Sequence, residues 1–221
     1  MDEDRVVEAY IGEYASGKSE MAINRAIELK NLGRKVNLVD LDTVEPFYTI
    51  RPLKTRLEEL GINVIAFSSN DTFGLGETGA MLNPRARWAL RNEGDVILDI
   101  GYGVFGAQTL NLVEGIDDTP NFRVIAVINY SRPMTNNRNK IREYILGLGR
   151  VDAIVANTHL GDLTTWEMVC LGNKEIIAVA DELGLPVDYM GIDKTLKDQI
   201  KDAIPNVPIK FITRYMPGAM W

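Results

Sequence analysis

The stretch Gly12-Glu13-Tyr14-Ala15-Ser16-Gly17-Lys18-Ser19 lies between a β-rich run, Arg5–Ile11, and a helix-like run that begins at Lys18. It matches the pattern G-x-x-x-x-G-K-[ST] at every position, in the strand–loop–helix context that the pattern requires. The two glycines let successive backbone N–H groups point inward toward phosphate oxygens, and the N-terminus of the following helix adds positive potential. The stretch therefore predicts a P-loop that binds a nucleoside triphosphate.

Two side chains of this loop have specific predicted roles. Lys18 should reach the β- and γ-phosphates, and the Ser19 hydroxyl should ligate Mg²⁺. The alternative, a glycine-rich turn with a surface lysine, is disfavoured by the complete match in the right context. The predicted nucleotide contacts are Gly12, Glu13, Tyr14, Ala15, Ser16, Gly17, Lys18, Ser19 and Glu20.

Short β-rich runs alternate with longer amphipathic runs along the whole chain. Several of the β-rich runs, such as "VILDI", are continuously apolar, which is typical of strands covered on both faces. The alternation predicts an α/β fold: a mostly parallel sheet with helices on both faces, in one domain over residues 1–221. The predicted strands are Arg5–Ile11, Lys35–Leu41, Asn63–Phe67, Asp95–Ile100, Arg123–Asn129, Asp152–Asn157 and Pro186–Met190. The predicted helices are Lys18–Leu32, Arg51–Leu60, Pro84–Asn92, Thr135–Leu148, Thr165–Leu183 and Thr195–Ala203.

Composition excludes several classes of protein. The net charge of −7 argues against sequence-independent nucleic-acid binding, which depends on neutralising phosphates. A single cysteine, Cys170, and a single histidine, His159, make an internal disulfide impossible and a structural zinc site implausible. The acidic start lacks a signal peptide's basic and apolar segments, and no run has the length of a membrane span. We expect a cytoplasmic protein.

Carboxylates follow two of the predicted strands. Asp40 and Asp42 stand where the second strand ends, in "LVDLDTVEPF", and Asp99 follows three apolar residues in the fourth, "DVILDI". A triphosphate site needs acidic groups that hold the metal ion and position water. The sequence therefore predicts Ser19, Asp40, Asp42 and Asp99 as the metal-site residues, although each aspartate could instead cap a turn at the end of its strand.

With these residues identified, the chain resembles the CobQ/CobB/MinD/ParA group of P-loop nucleotide-binding proteins. The resemblance rests on the P-loop and on five further segments, and it covers nearly the whole chain. These segments are "VDLDTVEPFYTIR" (Val39–Arg51), "DIGYG" (Asp99–Gly103), "NYSRPMT" (Asn129–Thr135), "ANTHLG" (Ala156–Gly161) and the closing "YMPGAMW".

The resemblance implies a role for each candidate. Asp42 would orient the attacking water and, with Lys18, be catalytic; Asp40 would lie in the outer shell of the metal. Asp99 would hold Mg²⁺ through water, and Asn157 would contact the base. Many members of the group have an additional lysine after the first P-loop glycine, which reaches the nucleotide of the partner subunit. This chain has Glu13 there, so that contact in trans is not expected.

The residues after Asn157 favour ATP over GTP. Guanine-binding proteins of this fold class typically use N-K-x-D, in which the aspartate pairs with the base. Here Leu160 stands at the aspartate position, and Asp162 is displaced by two residues.

The leading hypothesis is a Mg²⁺-dependent ATPase that acts as a nucleotide-driven switch, forms an ATP-dependent homodimer and controls an unidentified protein partner. The alternative is an ATP-dependent phosphotransferase, with the irregular segment Ser68–Asn83 at its acceptor pocket. A nucleotide-binding scaffold with negligible turnover is disfavoured by the intact set of site residues.

Overall fold

Within the part of the chain that the structure describes, eight strands form one parallel sheet, with the order β3-β2-β4-β1-β5-β6-β7-β8. The computed structural model describes residues 5–43, 49–67, 82–200 and 207–216. The strands are β1 Val7–Gly12, β2 Val36–Leu41, β3 Asn63–Ile65, β4 Asp95–Ile100, β5 Phe122–Ile128, β6 Ala153–Ala156, β7 Val187–Asp193 and β8 Ile209–Ile212. The predicted α/β architecture is thus confirmed, and β8, which the sequence analysis missed, extends the sheet by one strand.

The central strands are buried on both faces, as their continuous apolar runs predict. Every residue of β1, β2 and β4 is buried. Along β4, Leu98 packs into one apolar cluster with Ile176, and Ile97 packs into a second cluster with Ala22. Neighbouring residues of a strand point to opposite faces, so the two clusters are the cores on either side of the sheet.

Five α-helices accompany the described strands. They are α1 Lys18–Asn31, α2 Lys54–Glu59, α3 Gly103–Gln108, α4 Arg138–Gly147 and α5 Trp166–Leu183. The Thr165 hydroxyl accepts a hydrogen bond from the backbone N–H of Met168 at the start of α5, and Gly184 ends that helix with a left-handed φ of 68°. These are the capping signals that made α5 predictable.

Two of the helix predictions need correction, and one helix was missed. Pro84–Arg91 and Lys194–Gln199 are 3₁₀ rather than α-helical, and the latter ends before the predicted Ala203. Helix α3, just after β4, was not predicted, because its sequence "GVFGAQ" contains two glycines and resembles a loop.

The parallel arrangement brings the carboxyl ends of the strands to one edge of the sheet. Asp99 of β4 is in register with Asp40 of β2 on one side and with Tyr10 of β1 on the other. Ligands of open α/β sheets bind at this edge. No helix in the described ranges is long and apolar enough to cross a membrane.

Candidate nucleotide-binding site

The loop between β1 and α1 has the compact backbone that its sequence predicts. The N–H of Ser16 donates to the carbonyl of Glu13 at 3.1 Å, which closes a turn, and the N–H of Met21 donates to the carbonyl of Gly17 at 3.0 Å as α1 begins. Ala15 and Gly17 have positive φ values of 52° and 92°. When successive residues alternate between right-handed and left-handed backbone conformations, their N–H groups can point into a common concave site that binds an anion.

Both P-loop glycines are required by close contacts. A Cβ added to Gly12 would lie 2.5 Å from Ser16 Oγ and 2.6 Å from the carbonyl oxygen of Val127. A Cβ added to Gly17 would lie 2.3 Å from the side-chain nitrogen of Asn157, on a residue whose positive φ already disfavours a side chain. A larger residue at position 12 would displace the loop from β5, and one at position 17 would push away the Asn157 side chain and strain the backbone.

Lys18 lies beside one of the carboxylates predicted for the site. Its Nζ is 3.8 Å from Asp42 Oδ2, and both side chains are almost fully buried. Asp42 follows directly after β2, so the tertiary structure joins two residues 24 positions apart in the sequence. The lysine is thereby held at the mouth of the P-loop.

Ser19 and Asp99 form the second contact of the site. Ser19 Oγ donates a hydrogen bond of 3.1 Å to Asp99 Oδ1, and Asp99 is fully buried. Its other oxygen, Oδ2, has no hydrogen-bond partner among the described residues. The pKa of Asp99 is raised to about 8, chiefly by burial and also by the nearby carboxylates of Asp42 and Asp40, while the charge of Lys18 and the Ser19 hydrogen bond oppose the rise.

A magnesium ion fits this pair of residues. Within the described ranges, no group of three or more His, Cys, Asp or Glu residues could hold a metal ion. Mg²⁺ does not need such a group, because it is typically bound through one or two protein oxygens, water and the phosphates of a substrate. The unpartnered oxygen of Asp99 and the Ser19 hydroxyl are oxygen ligands of the type that Mg²⁺ binds. A cation there would favour the ionised form of this buried carboxyl group.

Asp40, predicted in the outer shell of the metal, has other partners. Its Oδ2 accepts a hydrogen bond of 2.6 Å from Arg51 Nε, and its Oδ1 accepts one of 3.0 Å from the backbone N–H of Asp42. Arg51 also donates to the carbonyl of Asp42 at 2.9 Å. Even so, burial raises the pKa of Asp40 to about 6. The contacts indicate that Asp40 orients the segment carrying Asp42.

Two residues predicted to contact the nucleotide use their side chains elsewhere. The carboxylate of Glu20 accepts hydrogen bonds from the backbone N–H groups of Tyr215 and Met216, at 2.9 and 2.7 Å. The side-chain nitrogen of Asn157 donates to the carbonyl of Ser16 at 2.8 Å and so supports the P-loop from β6. Glu20 is left with its backbone N–H for a phosphate, and a contact of Asn157 with the base remains a prediction.

The remaining loop residues present different groups to the site. Glu13 Oε1 accepts a hydrogen bond of 2.9 Å from the backbone N–H of Tyr14. The Tyr14 ring stacks edge-to-face on Tyr102, with 5.7 Å between ring centroids. Tyr102 follows β4, so this contact joins the P-loop to the glycine-rich segment after Asp99.

Several residues of the site were missed by the sequence analysis. Asn129, at the end of β5, donates to the carbonyls of Ala15 and His159, and Arg51 holds Asp40. Asp193 and Arg214, at the ends of β7 and β8, line a cavity beside Gly17. For Asp193 the available signal was its place at the end of a strand. The segment that the phosphotransferase hypothesis used, Ser68–Asn83, lies outside the described residues except for Leu82 and Asn83.

Comparisons with solved structures place the chain in a known fold. The cell division protein FtsY from Thermotoga maritima superposes with a TM-score of 0.60 at 21% identity, covering 88% of this chain and 64% of FtsY. The signal recognition particle receptor FtsY from Elizabethkingia anophelis, in complex with GDP, gives 0.60 at 16% identity, covering 88% and 59%. FlhF complexed with GMPPNP and Mg²⁺ gives 0.55 at 15%, covering 84% and 65%.

These matches show the fold of P-loop NTPases. This chain spans about three fifths of the length of the FtsY and FlhF chains it matches. No protein-family model matches the sequence, and no curated protein matches it significantly. The matches do not support the narrower CobQ/CobB/MinD/ParA group, since FtsY and FlhF represent a different branch of the fold.

Proposed function

We propose that the protein is a Mg²⁺-dependent ATPase that acts as a nucleotide-driven switch. Support comes from the complete P-loop in the fold of P-loop NTPases. In that role, the backbone of Gly12–Ser19 would bind the phosphates, with Lys18 at the β- and γ-phosphates. Ser19 and Asp99 would hold Mg²⁺, and Asp42 would orient the attacking water. The switch would respond to whether the terminal phosphate is present.

The observation that carries the proposal is the pair of contacts at the carboxyl edge of the sheet. Lys18 lies 3.8 Å from Asp42, and Ser19 donates to a fully buried Asp99 that retains an unpartnered oxygen. A buried carboxylate without a full set of partners is costly, and a structural role alone does not explain it. A bound Mg²⁺-triphosphate would supply the missing cation and an anion for Lys18.

The wider organisation belongs to the same proposal. All eight described strands share one sheet, which supports a single nucleotide-binding domain. We expect a cytoplasmic location and a protein partner on the exposed surface beside the site, where Phe105 is 82% exposed.

The FtsY and FlhF structures that were solved with nucleotide contain guanine nucleotides. The choice of ATP for this chain rests on Leu160, which stands where guanine-binding proteins of this fold class typically have the base-pairing aspartate.

The test is the binding of Mg²⁺ with a non-hydrolysable ATP analogue to the Lys18→Ala variant, measured by calorimetry, together with phosphate release from ATP. Losing a charge-assisted contact to phosphate should cost about 1.5–3 kcal/mol, roughly a 10- to 150-fold loss of affinity. Lys35→Ala is the matched control, because Lys35 is an exposed lysine at the opposite end of the sheet.

Unchanged affinity and turnover in Lys18→Ala would refute the P-loop assignment. Phosphate release without any added acceptor supports the ATPase over the phosphotransferase. Release only in the presence of a small-molecule acceptor would favour the latter.

A further inference from the structure

Arg132 is a buried cation beside the P-loop. It lies in the segment that follows β5, and it is only 8% exposed. Its Nη2 donates a hydrogen bond of 3.3 Å to the carbonyl of His159, and its Nε has no hydrogen-bond partner among the described residues. A guanidinium stays protonated at neutral pH, and a buried charge is costly unless it is paired.

Three other cations at this edge of the sheet each lie beside a carboxylate. The pairs are Lys18 with Asp42 at 3.8 Å, Arg51 with Asp40 at 2.6 Å, and Arg214 with Asp193 at 2.8 Å. No carboxylate of the described residues pairs with Arg132. Burial lowers its pKa, and among those residues only the nearby hydroxyl of Tyr14 opposes this effect. Arg132 is therefore a positive charge that lies near the P-loop and has no counter-ion in the described part of the chain.

The segment that carries Arg132 is attached to the P-loop. Strand β5 is the direct neighbour of β1 in the sheet, so the residues after β5 continue beside the loop. The side-chain nitrogen of Asn129 donates to the carbonyl of Ala15 at 3.3 Å and to the carbonyl of His159 at 2.8 Å. Arg132 donates to the same His159 carbonyl. The guanidinium and the P-loop backbone thus belong to one hydrogen-bonded group.

The backbone of this segment fixes the position of Arg132. The N–H of Arg132 donates to the carbonyl of Asn129 at 3.2 Å, and the N–H of Thr135 donates to the carbonyl of Arg132 at 3.0 Å. The Thr135 hydroxyl also donates to the Asn129 carbonyl at 2.5 Å. A donor that is already held in place loses less conformational freedom when it binds a ligand.

The ligand that suits this guanidinium is an anion held by the P-loop, so the inference rests on the proposed function. Hydrogen bonds from a guanidinium to phosphate are charge-assisted, and the planar group can donate two of them in parallel. A phosphate would supply the counter-ion that the described residues do not. We propose that Arg132 is a further phosphate-binding residue, which donates hydrogen bonds to phosphate oxygens of the nucleotide in the P-loop.

The experiment uses two substitutions of Arg132 in the full chain. Arg132→Met removes the charge and keeps an unbranched apolar side chain, and Arg132→Lys keeps the charge without the planar group. Affinities for a non-hydrolysable ATP analogue and for ADP, both with Mg²⁺, are measured by calorimetry at fixed salt. The matched control is Lys140→Ala, because Lys140 is an exposed cation that donates to the carbonyl of Pro133 in the same segment at 2.7 Å.

We expect Arg132→Met to weaken binding of the ATP analogue at least about 10-fold, which corresponds to about 1.4 kcal/mol. Arg132→Lys should lose less, and Lys140→Ala should stay within about twofold of the unmodified protein, because exposed charges contribute little. A loss confined to the ATP analogue would assign the contact to the terminal phosphate. An equal loss for ADP would assign it to a phosphate that ADP also carries, and either loss supports the proposal.

Unfolding of the nucleotide-free protein separates ligand binding from a structural role. Arg132→Met should raise the denaturant midpoint, because it removes an unpaired buried charge while Asn129 still donates to the His159 carbonyl. Arg25→Met is the control of opposite sign. Arg25 donates to the buried carboxylate of Glu8 at 3.0 Å, so its loss should lower the midpoint.

Unchanged affinity of Arg132→Met for both nucleotides would overturn the proposal. A midpoint lowered as far as that of Arg25→Met would also overturn it and assign Arg132 a structural role. Inorganic tripolyphosphate with Mg²⁺ separates these failures from failure of the proposed function. Equal binding of tripolyphosphate by the unmodified protein and Arg132→Met keeps the P-loop and rejects Arg132. No binding of tripolyphosphate or nucleotide by the unmodified protein rejects both.

Discussion

Glu13 accepts a hydrogen bond from the backbone N–H of Tyr14, the next residue of the P-loop, with 2.9 Å between the carboxylate oxygen and the nitrogen. In a P-loop, such N–H groups are the ones that bind phosphate. The carboxylate therefore accepts from a donor that the proposed ligand would use. Glu13, which stands where many members of the resembled group have a lysine, therefore competes with phosphate for this N–H group.

Replacing Glu13 should tighten nucleotide binding. In Glu13→Ala the N–H of Tyr14 becomes available, and a negative charge beside the triphosphate is removed. We expect an increase in Mg²⁺-ATP affinity of about 3- to 10-fold, corresponding to a hydrogen bond of roughly 1 kcal/mol. Calorimetry at fixed salt measures it, with Glu93→Ala as a control of equal charge, because Glu93 is exposed at the other end of the sheet. Weaker binding in Glu13→Ala would mean that Glu13 supports the loop.

Asp99→Asn should stabilise the nucleotide-free protein and abolish the effect of Mg²⁺ on nucleotide affinity. The pKa of Asp99 is raised to about 8, chiefly by burial, so folding at pH 7 must either protonate Asp99 or bury its charge. A neutral amide of the same shape avoids this cost and should raise the free energy of unfolding by about 1 kcal/mol or more. The Ser19 contact remains possible through the amide oxygen. Denaturant unfolding measures the first effect, and affinities with Mg²⁺ and with EDTA measure the second.

Asp95→Asn provides the control with the opposite sign. Asp95 begins the same strand, and its carboxylate pairs with Arg34 and with the N–H of Val6. We expect Asp95→Asn to lower the free energy of unfolding by about 1 kcal/mol, because Arg34 is partly exposed and screened by solvent. If both variants were destabilised equally, the proposal that Asp99 binds a cation would be wrong.

Asp42→Asn should lower turnover far more than affinity. Positioning of water matters mainly in the transition state, and removal of a group in that role typically costs about 100-fold or more in kcat. Phosphate release and calorimetry on the same preparation give the two quantities, and Asp117→Asn, an exposed aspartate far from the site, serves as the control. Turnover at the original rate would exclude Asp42 as the catalytic residue and direct attention to Asp40.

Mg²⁺-ATP should promote a two-fold symmetric dimer through the surface beside the site. The proposed interface includes Gly101–Phe105, in which Phe105 is 82% exposed and Val104 is 41% exposed, and Thr43–Tyr48, of which Thr43 alone lies within the described residues. ATP can drive this association only if it binds the dimer-competent state more tightly. Sedimentation of Asp42→Asn, which should retain ATP, tests the prediction.

Phe105→Ser is the control for that dimer, because it should abolish the nucleotide-dependent association and leave ATP affinity unchanged. A monomer at tens of micromolar protein with saturating Mg²⁺-ATP would contradict the dimer. A dimer equally stable without nucleotide would keep the interface and reject its control by ATP.

The P-loop, the parallel sheet and the strand-end aspartates were predictable because their signals are local. The P-loop pattern is contiguous, and an apolar run such as that of β4 encodes burial on both faces. Local signals failed for α3, whose glycines suggested a loop, and for β8, which pairs with β7. The sequence did not indicate that Asn157 and Asp40 also contact protein groups, the Ser16 carbonyl and Arg51. Their roles toward the base and the metal remain predictions.

The sequence by itself determined that a phosphate-binding loop follows the first strand and that carboxylates stand at the ends of the second and fourth strands. The tertiary structure decided which of these groups meet: Lys18 with Asp42, Ser19 with Asp99, and Asp193 with a cavity beside Gly17. The physical reason is that a strand's position in the sheet depends on packing between residues far apart in the chain. The order of the strands in the sheet differs from their order in the sequence, and the site is formed by strands that are neighbours in the sheet.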